Sequence, residues 1–271
     1  YASRVKLMKR SFFKGTSYRY FYKSKSYKNI VLIHGLGLNQ DAWTWQIPSF
    51  KEYNVLIYDL LGHGDSKNPG KKVTLDTFSA QLNGLIEKLS LKKITLIGFS
   101  LGSMISRKYS INYAQKVEAI ILLNSPRRVT PSEKDEILNR SLMLKKEGPS
   151  SSVKGAIERW FSPEFQNKNR PIIDLVSFWI NRNDKDTYSR VYTLLYYGSL
   201  ELEKKIDHKP ALIITCDQDY ANGPSVARKI SKELPNSKVS ILKNLRHMAL
   251  VENYSLVNKK IRSFLKGLEE R

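Results

Sequence analysis

The run Ile94-Thr-Leu-Ile-Gly-Phe-Ser-Leu-Gly102 constrains this chain more than any other stretch. It reads as an apolar β-strand entering the pentapeptide Gly98-Phe99-Ser100-Leu101-Gly102, with helical spacing from Met104 onward. Strand, tight turn with serine at its apex, then helix is the context that makes G-x-S-x-G a candidate nucleophile turn. A serine held in so sharp a turn needs small neighbours, so glycines at 98 and 102 fit crowding as the cause. The helix that follows would aim its free N–H groups at negative charge forming beside the serine.

Either side of this run, the chain alternates short apolar strands with helical patterns. Asn29–Ile33, Val55–Tyr58, Ala119–Leu123, Pro210–Thr215 and Lys238–Leu242 read as strands. Thr74–Leu89, Ser103 to about Tyr113, Ser225–Leu234 and Leu256–Leu268 read as helices. Such alternation implies an α/β fold with a mostly parallel sheet covered by helices on both faces, and catalytic groups gathered at the carboxyl ends of the strands. Arg10–Phe13 and Ser17–Tyr22, joined at Lys14-Gly15, read as an opening hairpin. The rhythm breaks after Ser125-Pro126. For some seventy residues the pattern is helical, over Glu133–Lys146, Val153–Trp160, Pro171–Asn181 and Lys185–Leu200. The reading is a core of residues 1–127 and 201–271 with a helical lid, 128–200, inserted between them. Trp43 and the lid's Met143, Trp160 and Phe161 are candidate pocket residues.

Three side chains follow strands at one sheet edge, in the order Ser100, Asp219, His247. Serine is a weak nucleophile and needs a base that titrates near neutrality, and an imidazole needs a carboxylate to fix its tautomer. Of the four histidines, His208 precedes a strand, whereas His34 and His63 sit in glycine-rich turns and read as structural braces. That leaves His247 as base. Asp219 lies further along its loop than the rival Asp217 and is preferred as the orienting acid. After Ile33, His34-Gly-Leu-Gly37 lacks the third glycine of a dinucleotide loop, Gln40 standing in its place. It reads instead as an oxyanion loop, with the backbone amides of Leu36 and Leu101 as donors.

Composition narrows the class. With 271 residues, 41% of them hydrophobic, the chain can bury a large core, and no apolar run reaches the ~20 residues of a membrane span. A single cysteine, Cys216, excludes an internal disulfide, and no His/Cys/Asp cluster has metal-ligand spacing. A cytoplasmic location is the default expectation, with an upstream targeting segment left open. The net charge of +21 is spread along the chain, residues 1–28 alone holding nine Lys/Arg and no acid. No nucleic-acid module accompanies it, so a lysine-rich solvated surface is the plainer reading.

His34-Gly-Leu-Gly37, Gly62-His-Gly-Asp-Ser66, Gly98-Phe-Ser-Leu-Gly102 and Arg246-His-Met248 resemble the marks of the α/β-hydrolase family over essentially the whole chain. Gly98-Phe-Ser-Leu-Gly-Ser-Met104, Leu123-Asn-Ser-Pro126 and Glu158-Arg-Trp-Phe-Ser-Pro-Glu-Phe165 are similar to its 3-oxoadipate enol-lactonase and carboxylesterase branch. His34–Asn39 also looks like the loop of pimeloyl-acyl-carrier-protein methyl ester esterases. The resemblance implies the α/β-hydrolase fold, hydrolysis of a carboxylic ester or lactone, and neither metal nor organic cofactor. Relatives with a dehalogenase or epoxide hydrolase activity would carry Asp at position 100. Two departures are Ser103 and Cys216, where the family favours glycine. A carrier-protein-linked ester is a variant of this expectation, since Arg140, Lys145, Lys146 and Arg159 could steer an acidic carrier. A non-catalytic ligand-binding protein of the same fold is the other alternative.

Overall fold

The computed structural model describes residues 9–127, 130–202 and 207–270. Eight strands form one sheet in the order β1-β2-β4-β3-β5-β6-β7-β8. They are β1 (Ser11–Phe13), β2 (Thr16–Phe21), β3 (Lys28–Ile33), β4 (Tyr53–Tyr58), β5 (Ile94–Phe99), β6 (Val117–Leu123), β7 (Ala211–Cys216) and β8 (Ser237–Leu242). The opening hairpin pairs antiparallel within itself and through β2 onto β4, and every pairing from β4 to β8 is parallel. The parallel centre is the most deeply buried part. Ile30–Ile33, Val55–Tyr58 and Ile94–Phe99 are almost wholly enclosed, each large aliphatic side chain contributing about 1.5–3 kcal/mol by leaving water.

Between these strands run α1 (Leu75–Lys88) and α2 (Leu101–Asn112). Helix α1 starts where the sequence signals it. The Thr74 hydroxyl accepts the Thr77 amide while the Thr77 hydroxyl accepts the Thr74 amide, a reciprocal cap. After β6 come α3 (Pro131–Glu147), α4 (Ser150–Trp160), α5 (Pro163–Lys168), α6 (Arg170–Asn181), α7 (Lys185–Tyr192) and α8 (Leu194–Glu201). The sequence reads Lys185–Leu200 as one helix. In the structure it breaks at Thr193, whose hydroxyl bonds the Arg190 carbonyl. The reading also omits α5, capped by the Ser162 hydroxyl on the Phe165 amide. The expected insertion start at residue 128, and Arg4 and Lys6 of the basic opening stretch, lie outside the described residues. The fold closes with α9 (Pro224–Glu233), α10 (Ala249–Glu252) and α11 (Tyr254–Glu269). Among the described residues no helix is long and apolar enough to cross a membrane.

Connections from β3 run toward β4 on one side, and those from β5 toward β6 on the other. The loops leaving β3 and β5 therefore diverge, and a crevice opens at the carboxyl ends of these two strands.

Candidate active site

Ser100 stands at that crevice, directly after β5, with φ +51° and ψ −116°. This is backbone that non-glycine residues rarely adopt and that costs on the order of 1–3 kcal/mol. Its neighbours hold it there. The Ser100 amide bonds the Leu123 carbonyl at 2.9 Å. A Cβ at Gly98 would fall 2.3 Å from the Gly102 carbonyl oxygen, and one at Gly102 would fall 2.1 Å from the Ile33 carbonyl oxygen. Both glycines are therefore required by close backbone approach. Ser103, the departure from the family pattern, has a task of its own: its hydroxyl donates to the Gly98 carbonyl at 2.7 Å, tying the helix start back to the strand.

The Asp219 carboxylate and the His247 imidazole meet on the same side. His247 Nδ1 lies 2.7 Å from Asp219 Oδ2, and both residues are under 10% exposed. Asn124 Nδ2 donates to the same oxygen at 2.8 Å, while Asp219 Oδ1 accepts the amides of Ala221 and Asn222 at 3.2 and 3.1 Å. Burial alone would raise the Asp219 pKa. The charge and hydrogen bond of His247, helped by Asn124 and the Asn222 amide, outweigh it and hold the carboxyl below its ordinary value. The carboxylate is thus ionised and saturated with donors. Asp217 is occupied elsewhere, accepting the Asn244 amide at 2.8 Å.

Ser100 and His247 line one cavity of about 410 Å³, with Leu36 and Phe99 beside them. The Phe99 ring lies 4.9 Å from the His247 ring, and Trp160 approaches the imidazole from the helical segment at 6.0 Å. Leu101 opens α2, so its amide is among the four without a partner inside the helix. Gly35 sits against Ser100, since a Cβ there would lie 3.2 Å from the serine Cβ. The loop carrying Leu36 is thereby packed onto the turn at Ser100.

His34 and His63 lie behind this loop, as braces would. His34 Nδ1 donates to the Gly35 carbonyl at 2.8 Å and Nε2 accepts the Leu60 amide at 3.0 Å. Burial pushes His34 down to about 4 and His63 down to about 3, so both are neutral at pH 7. His208 is exposed and precedes β7, at the opposite end of that strand.

Of the expected pocket residues, only Trp160 lines the cavity. Trp43 and Phe161 are fully enclosed in the core, and Met143 is half-buried on α3 away from the wall. Large apolar side chains signal burial, but the crossing of the helices decides which of them face inward. Their places are taken by Tyr188, Tyr192, Leu195 and Val226. The sequence also gives no role to Asn124, whose backbone has φ +48° directly after β6. Its only signal is a polar residue in Leu123-Asn-Ser-Pro126. Among the described residues no group of three or more His, Cys, Asp or Glu could hold a metal.

A strained serine between β5 and α2, at the edge of this mostly parallel sheet, defines the architecture of an α/β-hydrolase. Comparison with known proteins agrees. A profile of the alpha/beta hydrolase fold matches residues 28–146, and the chain has the α/β-hydrolase fold. It is 24% identical over 249 residues to the (E)-2-((N-methylformamido)methylene)succinate hydrolase of Acinetobacter baylyi, covering 91% of this chain and 93% of that one. It is 21% identical over 238 residues to 3-oxoadipate enol-lactonase 2 of the same organism, covering 88% of each. Among solved structures, the enol-lactonase of Burkholderia xenovorans LB400 superposes with a TM-score of 0.86 at 22% identity, over 95% of this chain and all of that one. The thermophilic esterase of Thermogutta terrifontis gives a TM-score of 0.84 at 20% identity, covering 96% of this chain and 97% of that one.

Proposed function

We propose that this protein is a serine hydrolase of carboxylic esters or lactones. The observation that carries the reading is the buried Asp219–His247 pair, 2.7 Å apart, on the cavity that Ser100 also lines. With Nδ1 committed to Asp219, the His247 ring presents Nε2 to the cavity. It takes the Ser100 proton as Oγ attacks the substrate carbonyl carbon. The new oxyanion is held by the amides of Leu36 and Leu101, each such donor being worth roughly 2.7–4 kcal/mol in the transition state. Collapse of the tetrahedral intermediate breaks the carbon–oxygen bond, and the leaving alkoxide receives the proton from His247. Water then gives a proton to His247 and attacks the acyl-enzyme, releasing the acid and restoring Ser100. The helical segment between β6 and β7 acts as the lid over this chemistry.

The relatives named as an enol-lactonase and a succinate-derivative hydrolase support small esters or lactones over larger ones. The carrier-linked variant is weaker, because Arg140 and Arg159 line the cavity, leaving only Lys145 and Lys146 to greet a carrier. The test is labelling with a fluorophosphonate. The wild-type chain takes up one equivalent and hydrolyses p-nitrophenyl acetate, and Ser100→Ala does neither. A Ser100→Ala variant that still labels and turns over would refute the assignment.

A further inference from the structure

The lysines are spread along the sequence, but the fold gathers many of them at one end. The turns at the amino ends of the parallel strands lie opposite the Ser100 cavity. They are residues 22–28 at the start of β3, 51–52 before β4, 89–93 before β5, 113–116 before β6 and 207–210 before β7. Together they hold eight lysines and no arginine, against two acids, the exposed Glu52 and the buried Asp207. Glu87, at the end of α1, is taken up by Lys116. Among the described residues no carboxylate lies within ion-pair distance of Lys25, Lys28, Lys92, Lys93 or Lys209. Lys23 Nζ donates to the Phe50 and Lys51 carbonyls at 2.7 and 2.8 Å. Burial, and after it the charge of Lys51, lower its pKa, so like charges are crowded here.

Strands β4, β3, β5, β6 and β7 are neighbours in the sheet, and at about 4.8 Å per strand the row of turns spans roughly 19 Å. Lys23, Lys25, Lys28, Lys51, Lys92 and Lys93 are exposed along it. Tyr22 and Tyr27, 55% and 38% exposed, flank Lys23 and Lys25 in the first turn. A row of like charges is unfavourable by itself and favourable against a surface of opposite sign. The residue types decide which surface. Bidentate recognition of single phosphates and of guanine calls for the arginine fork, and this end has none. Lysine ammoniums are point charges on flexible stems and suit a diffuse layer of anionic headgroups. Tyrosine rings, apolar with a polar tip, suit the headgroup level of a bilayer.

We propose that this end of the sheet docks the protein on an anionic phospholipid surface, through Lys25, Lys28, Lys92 and Lys93, with Tyr22 and Tyr27 seated among the headgroups. The six residues of β5 hold Lys93 and Ser100 about 20 Å apart at opposite ends of the strand. Docking therefore leaves the cavity clear of the membrane, and the inference is independent of the chemistry at Ser100.

The experiment is co-sedimentation of the full chain with vesicles of phosphatidylcholine alone or mixed with phosphatidylserine. The protein binds the mixed vesicles and not the neutral ones, and salt releases it by screening. Each lysine near such a surface contributes about five-fold to partitioning. The variant Lys25→Gln/Lys28→Gln/Lys92→Gln/Lys93→Gln therefore loses at least about a hundred-fold. A control, Lys71→Gln/Lys72→Gln/Lys145→Gln/Lys146→Gln, removes the same charge from exposed positions elsewhere and loses less than about five-fold. Tyr22→Ser/Tyr27→Ser weakens binding without changing its salt dependence, and circular dichroism checks that each variant is folded. Absence of binding to the mixed vesicles at low salt, equal binding to neutral and anionic vesicles, or an equal loss in the control variant overturns the proposal. A parallel titration uses single- and double-stranded oligonucleotides. Oligonucleotide binding that needs the four lysines, with vesicle binding that does not, assigns this end to nucleic acid and overturns it as well.

Discussion

Lowering the pH from 7 to 5 measures how tightly the two histidines behind the site are held in their neutral form. His34 and His63 are 0% and 1% exposed, and burial sets their pKa values at about 4 and about 3. An unfolded histidine titrates near 6.5, so on acidification the unfolded chain binds protons before the native one. Both native values are depressed. Their stabilisation is therefore complete above about pH 6.5 and shrinks as pH falls, until the native rings themselves protonate near 4 and 3. Integrating the proton uptake from pH 7 to 5 gives a loss of about 1.9 kcal/mol for each ring, roughly 4 kcal/mol for the pair. The buried Asp59 carboxyl, raised chiefly by desolvation, works in the opposite direction, so a variant is needed to isolate the imidazole effect. His63→Gln keeps an amide donor for the Leu61 carbonyl, which His63 Nδ1 approaches at 3.2 Å, and does not titrate in this range. In urea unfolding at both pH values, wild type should lose about 1.9 kcal/mol more than His63→Gln between pH 7 and 5. Losses agreeing within about 0.5 kcal/mol, the scatter expected of independent effects, would refute the claim that His63 is neutral by burial.

Asp219→Asn should fold yet lower kcat by about four orders of magnitude, because an amide there leaves His247 in the wrong tautomer; steady-state kinetics and circular dichroism check both halves. Asn124→Ala removes the 2.8 Å donor to Asp219 Oδ2. It should cost about 1.5–3 kcal/mol of stability, the range for a hydrogen bond to a charged group, read from denaturant midpoints. Gly102→Ala forces a methyl against the Ile33 carbonyl and should destabilise by at least the ~1–3 kcal/mol of an overpacked core. Gly267→Ala, in α11 with nothing within 4 Å of the new methyl, should stabilise by about 0.5–1 kcal/mol through helix propensity; thermal melts of the two variants should move in opposite directions.

The parts legible in the sequence share one physical cause: the rule that decides them is local. The strands β3 to β7 are mostly buried on both faces and so read as short apolar runs. Helix α1 announces itself through Thr74 and Thr77. The turn at Ser100 announces itself through two glycines that backbone contact makes obligatory. Where a rule depends on how elements cross, the sequence falls silent. Trp43 and Phe161 are as apolar as Trp160, yet only Trp160 faces the cavity, and no periodicity distinguishes a core side from a cavity side. The break at Thr193 falls where no glycine or proline marks it. Asn124 is a short polar residue after a strand, where turns commonly carry one. Its bond to Asp219 spans 95 positions and leaves no local trace.

The helical segment between β6 and β7 bonds to two loops on opposite sides of the cavity beside Ser100. The Trp160 carbonyl accepts the Met248 amide at 2.9 Å, one residue beyond His247, and the Ser162 amide donates to Glu252 at 3.1 Å. Arg246, one residue before His247, reaches the Phe161 carbonyl at 3.1 Å. On the other side Asn183 Nδ2 donates to the Gly37 carbonyl at 3.2 Å, beside Leu36, and Arg182 pairs with Asp65 at 3.1 Å. Rigid displacement of this segment would therefore disturb the imidazole loop and the amide loop together.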